Sequence, residues 1–147
     1  MTKPGWYKRE LEDWAELVSA NRKPVPKRSA PEDGQKASWL AAMRWRRAVE
    51  RVTRQADLTF TQWLVLDAIR ELFEETGDAS IQNEISVRAE LDRATISVVM
   101  RNLERKGLVD RGIDMIGTAW RTFLTKRAVS VLDELRPKIS AISTVSR

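Results

Sequence analysis

The sequence predicts a mainly α fold with a small β-wing, and three observations carry that prediction. Apolar residues recur at three- and four-residue spacing through most of the chain, the period of a helix with one buried face. The stretch Asn83-Glu84-Ile85-Ser86-Val87-Arg88-Ala89-Glu90-Leu91-Asp92-Arg93-Ala94-Thr95-Ile96-Ser97 reads as a short helix, a tight turn and the polar start of a second helix running to Lys106. Two short runs, Leu108-Val109-Asp110-Arg111 and Trp120-Arg121-Thr122-Phe123-Leu124, then flank a turn containing Gly112 and Gly117, as the strands of a hairpin would.

The elements follow in order. Leu11, Trp14 and Val18 fall at helical spacing, widened by Trp6, Tyr7 and Leu17, and predict a short amphipathic helix over residues 6–20. Residues 21–34 hold three of the five prolines and two charge clusters; proline lacks the donor that a helix interior needs, so an extended arm or linker is expected. A long helix over about 38–56 is built on Trp45, Val49 and Val52, with Arg44, Arg47, Arg51 and Arg54 largely on other faces. Thr59-Phe60-Thr61-Gln62 supplies a capping box for a helix reaching Thr76, with Trp63, Leu66, Ile69 and Phe73 as its inward stripe, widened by Val65 and Leu72, and Gly77 as its stop.

Ser80 is expected to cap the short third helix and Asp92 the fourth, where a carboxylate also complements the positive end of the helix dipole. In the fourth helix Ile96, Val99 and Leu103 define the inward face, and Gly107 ends it. Thr125 opens a last helix with Leu132, Leu135, Ile139 and Ile142 on one stripe, which Pro137 should kink or restart. The expected organisation is residues 1–35 as amphipathic helix and proline-rich arm and residues 36–147 as the main domain, its helix-turn-helix and wing within about 58–127.

Composition narrows the function. The chain of 147 residues carries a net charge of +5, which favours a polyanionic partner. It has no cysteine and no histidine, so disulfides, thiol sensing and the commonest general base and metal ligand are absent. Without a nucleophile paired to a base or a phosphate-binding glycine loop, no catalysis, cofactor or metal is expected. The N-terminus has no apolar signal core, and no stretch approaches the roughly eighteen apolar residues of a membrane span, so the expectation is a cytoplasmic protein without membrane contact.

A helix enters the major groove of a duplex when its outer side is polar and basic and its inner side is anchored to a core. The fourth helix offers Arg93, Ala94, Thr95, Ser97, Val98, Arg101 and Arg105 outward, with Asn102 toward an edge. Arg93 or Arg101 is expected at a guanine edge, where a guanidinium donates to O6 and N7. Ser97 and Thr95 suit a base or phosphate, Ala94 and Val98 a thymine methyl, and Ser80, Gln82 and Arg88 the phosphate backbone. Residues 81–127 carry nine basic and six acidic side chains, whereas residues 58–80 carry one arginine against five acids. Charged helix faces are commonly just solvated; it is the embedding between a turn and a wing that favours DNA.

Leu58-Thr59-Phe60-Thr61-Gln62-Trp63-Leu64-Val65-Leu66, Leu103-Glu104-Arg105-Lys106-Gly107-Leu108-Val109 and Leu124-Thr125, arriving in this order over about residues 38–135, resemble the MarR family of bacterial winged-helix transcription regulators. The resemblance implies a winged helix-turn-helix with terminal dimerisation helices, a homodimer on double-stranded DNA, a repressor's role, and a small aromatic or anionic effector in a crevice that Trp39, Met43, Trp63 and Trp120 would border. Three departures stand out. Asp114-Met115-Ile116-Gly117-Thr118-Ala119-Trp120 lacks the family's acid and arginines at the wing, leaving Arg111 or Arg121 as substitutes. Ala128 replaces a glycine, and the last helix is short, so Trp6 and Trp14 are expected to bury against a neighbouring subunit in its place. The alternative is a winged-helix module that binds protein instead of DNA.

Overall fold

The computed structural model describes residues 30–113, 117 and 119–142. The chain divides into two compact units, Met1–Lys36 and Ala37–Arg147. The expected helix over residues 6–20, most of the proline-rich arm and the centre of the wing lie outside the described residues.

Five helices and three strands are described: α1 (Ala30–Arg54), α2 (Phe60–Thr76), β1 (Ser80–Ile81), α3 (Gln82–Ala89), α4 (Arg93–Arg105), β2 (Val109–Ile113), β3 (Trp120–Leu124) and α5 (Lys126–Ser140). Helix α1 starts earlier than the apolar pattern suggests. Pro31 falls in its first turn, where a missing N–H breaks no helical bond, so the last proline of the expected arm is helical instead.

The caps of α2 and α4 follow from the residue types. Thr59 Oγ1 accepts from the Gln62 backbone and Gln62 Oε1 accepts from the Thr59 backbone, both at 3.1 Å. Gly77 closes α2 at φ 70°, its N–H donating to the Phe73 carbonyl. Asp92 Oδ1 accepts from the Thr95 N–H at 2.6 Å and opens α4.

Ser80 does not cap α3. It forms β1 with Ile81, pairing with Thr122 and Arg121 of β3, so the wing is a three-stranded antiparallel sheet in the order β1-β3-β2. The helix starts after Ile81, whose N–H donates to Glu84 Oε1 at 3.3 Å. Its C-terminal turn is made by Glu90 at φ 53°, and Ser86 Oγ donates to the Leu91 carbonyl at 2.6 Å to hold it.

Helix α2 is the hub, packing on α3, α4, β3 and α5. The core gathers Val49 from α1, Val65, Leu66 and Ile69 from α2, Ile85 from α3, Ile96, Met100 and Leu103 from α4, Val109 from β2 and Leu132 and Leu135 from α5. Trp45, Phe60 and Trp63 form an aromatic cluster between α1 and α2, Trp45 edge-on to the other two rings and Phe60 tilted against Trp63, with centroids 5.7 to 6.2 Å apart. Pro137 neither ends nor restarts α5. The carbonyl it leaves unbonded is that of Asp133, an exposed residue that water can serve.

Candidate nucleic-acid interface

The interface begins with the amphipathic pattern of α4. Ile96, Val99, Met100 and Leu103 are buried, which turns Arg93, Ala94, Val98, Arg101 and Arg105 outward and leaves Thr95, Ser97 and Asn102 half-buried at the flanks. Arg93, Arg101 and Arg105 lie in a row of four-residue steps spanning roughly 18 Å of helix. Among the described residues none of these three is paired with a carboxylate; Arg101 Nε only donates back to the Ser97 carbonyl at 3.3 Å. Val98, half exposed, adds an apolar contact in the same surface.

Behind this surface a polar chain ties three elements together. Gln82 Nε2 of α3 donates to Ser97 Oγ of α4 at 3.1 Å, and Arg111 Nη2 of β2 donates to Gln82 Oε1 at 2.9 Å. Arg111 also approaches Glu104 of α4 at 3.9 Å. Gln82, Ser97 and Arg111 are therefore committed to fixing the wing and α3 against α4.

Several sequence-stated assignments change here for physical reasons. Ser80 is only 3% exposed and offers a phosphate no surface. Arg88 turns away from the α4 row and bridges Glu71 at 3.2 Å and Glu75, both on α2. Each pairing draws on opposite charge: the Arg88 guanidinium holds the Glu75 carboxyl below its ordinary range. Arg121 donates to the Ala79 carbonyl at 2.6 Å and lies 3.7 Å from Asp78. With Arg111 equally engaged, neither substitute for the family's wing arginine is free.

The four residues expected around an effector crevice are spread over different surroundings. Trp63 is buried in the aromatic cluster, Met43 is half-buried on α1, and Trp39 and Trp120 are each 63% exposed, on α1 and at the end of β3. A shallow recess runs along α1 past Ser38, Ala41, Ala42 and Trp45. A separate apolar cavity of about 480 Å³ lies between α2, β3 and α5, bordered by none of the four. It is walled in part by Phe73 and Phe123; Phe73, expected on the inward stripe of its helix, is instead 55% exposed at the C-terminal end of α2, and Phe123 sits on the outer face of a strand. Strand alternation could have marked Phe123 as outward, but only the packing of three elements makes a cavity there.

A three-helix core with α4 presented beside a three-stranded wing defines a winged helix-turn-helix protein. Residues 56–114 match the MarR family, and the resemblance read from the sequence stands on that segment. An uncharacterised HTH-type transcriptional regulator, YdcH, of Bacillus subtilis (strain 168) is 27% identical over a region covering 50% of this chain and 49% of that protein, so the match spans about half of each. Among solved structures, CouR from Rhodococcus jostii RHA1 bound to p-coumaroyl-CoA superposes with a TM-score of 0.68 at 18% identity, covering 78% of each chain. The complex of Staphylococcus aureus MepR with DNA gives a TM-score of 0.57 at 23% identity, covering 71% of this chain and 78% of that one. These likenesses are of fold. No helix among the described residues is long and apolar enough to cross a membrane.

Proposed function

We propose that this protein is a cytoplasmic, homodimeric transcription regulator that binds double-stranded DNA sequence-specifically, a repressor whose grip a small organic effector loosens. The observation that carries the reading is the row of Arg93, Arg101 and Arg105 on the outer face of α4, unpaired with any described carboxylate beside elements whose other arginines are neutralised within the fold. Uncompensated guanidiniums on an anchored helix suit guanine edges and phosphate, and Ala94 and Val98 between them suit thymine methyls. Thr95 and Asn102 border that contact. The neighbouring DNA complex of MepR supports the docking mode without transferring its operator.

Selection of bound sequences from random duplexes, followed by footprinting, tests the reading. Two half-sites about one helical turn apart are expected for a two-fold dimer. Arg101→Ala and Arg93→Ala should each cost about 1 to 3 kcal/mol on the selected site and far less on random DNA. If each subunit neutralises a handful of phosphates, affinity should fall by roughly three to five decades between about 50 and 200 mM salt. A flat salt response would falsify the proposal.

A second reading, a winged-helix module that meets protein, is favoured by the exposure of Trp39 and Trp120. It predicts no retarded duplex and no effect of the two arginine changes on partner binding.

A further inference from the structure

Among the described residues, the wing ends on an apolar pair that the fold leaves uncovered. Ile113 closes β2 and Trp120 opens β3, directly opposite each other in the strand register. Both are large apolar side chains left accessible, at 55% and 63%. Two residues further in, Arg111 and Thr122 form the next pair on the same face of the sheet; there Thr122 is buried and Arg111 is tied to Gln82 of α3. The face that meets the helix-turn-helix at Arg111 thus runs on by about 7 Å past that tether, and its end carries the two apolar side chains.

Charge says what this end does not do. From Gly112 to Trp120 the sequence has no lysine or arginine and one aspartate, Asp114. Arg111 and Arg121 on either side are engaged with Gln82, Glu104, Ala79 and Asp78. A phosphate, or the negative potential of a narrow minor groove, calls for a cation, and this end offers none. An apolar side chain contributes in a groove by another route: it wedges between base pairs and unstacks them in part, and an aromatic ring stacks on the base it exposes. Position also selects this occupant. Gln82 joins Arg111 to Ser97, and Ser97 stands four residues from both Arg93 and Arg101, so the wing end continues the surface that α4 offers to a duplex.

We propose that Trp120, backed by Ile113, wedges into the minor groove beside the bases read by α4 and partly unstacks one step there, deforming the site through an apolar contact where an arginine would read it electrostatically. The inference rests on the DNA-binding reading above and adds a specificity-determining residue to it. Easily unstacked pyrimidine–purine steps are favoured at that position without a hydrogen bond to them.

The test uses the full chain and a duplex carrying the selected site, with 2-aminopurine placed in turn at each position flanking the bases that α4 reads; its emission rises on unstacking. Binding should raise the emission at one flank of each half-site. Trp120→Ala should remove that rise and weaken binding about ten- to hundredfold, with the slope of affinity against salt unchanged, because an apolar wedge releases no counterion. Trp120→Phe should keep the rise and most of the affinity. Emission unchanged at every position, a rise that survives Trp120→Ala, or an affinity indifferent to that change overturns the proposal while leaving DNA binding in place. A Trp120→Ala protein with a lower thermal transition or a smaller oligomer also overturns it, since the ring would then support the fold or a contact between copies. Failure of the unaltered chain to retard any duplex ends both readings.

Discussion

Arginines of identical chemistry end in different roles because of what stands opposite them. Arg93, Arg101 and Arg105 meet no described carboxylate, whereas Arg88 is held by two acids of α2 at helical spacing, Glu71 and Glu75. Arg88→Ala should leave affinity for random duplex unchanged and lower stability only slightly, since exposed ion pairs contribute little; urea unfolding and DNA titration together check this. Glu90 carries a different constraint. At φ 53° it occupies the left-handed region without being glycine or asparagine. Glu90→Gly should therefore stabilise the protein by about 0.5 to 1 kcal/mol, read as a higher urea midpoint with an unchanged slope.

Asp67 gives a residue-level pH effect. Burial, then its hydrogen bond and repulsion with Glu71, push its carboxyl from 3.8 up to about 6. A folded-state pKa above the unfolded one means that the folded form binds the proton more tightly, so this residue's penalty is complete above about pH 6 and is relieved as pH falls toward 3.8. Glu74, Glu75 and Asp92 are shifted down, chiefly by Arg136, by Arg88 and by the Thr95 N–H. Their contribution is present above their ordinary pKa values and is lost in stronger acid. The melting temperature should thus rise modestly from about pH 7 to pH 5, and Asp67→Asn should flatten that rise. An unaltered slope in the variant would assign the effect to other groups.

At the scale of elements, the helix-turn-helix depends on contacts that hold the wing to it. Gln82 is the joint, giving one hydrogen bond to Ser97 and accepting one from Arg111. Gln82→Ala should cost about 1 to 3 kcal/mol, because it leaves the half-buried Arg111 side chain short of an acceptor. Hydrogen exchange should quicken in β2 and β3 more than in α2. The helices themselves were legible: Thr59, Gly77, Asp92 and Thr125 mark ends where the residue type satisfies a specific orphan backbone group. Strand β1 was not, since two residues carry no periodicity and Ser80–Ile81 becomes a strand only because β3 offers them an edge. The α3 terminus was missed for the same reason, and Ser80 with it.

For the whole molecule, the proposed dimer places a demand on α1. Trp39 and Leu40 are exposed on that helix within the larger unit, an apolar surface suited to a second copy. Trp39→Glu should shift the protein toward monomer in sedimentation velocity and weaken DNA binding in proportion, with little change in the monomer's helix content. Dimer persistence in that variant would move the interface elsewhere.

What the sequence determined alone is the local grammar: which segments are helical, where capped ends fall, and which flank of α4 is apolar. These follow from backbone donors that must be satisfied within a few residues and from a period that sorts side chains by face. It also carried the outward placement of Arg93, Arg101 and Arg105, because Ile96, Val99 and Leu103 leave them no other side. Only tertiary structure decided which remaining polar groups are free. Arg88, Arg111 and Arg121 are drawn inward by acids and carbonyls distant in sequence, and the cavity beside Phe73 and Phe123 exists only where α2, β3 and α5 meet. Pairing at a distance depends on where elements pack, which a helical period does not encode.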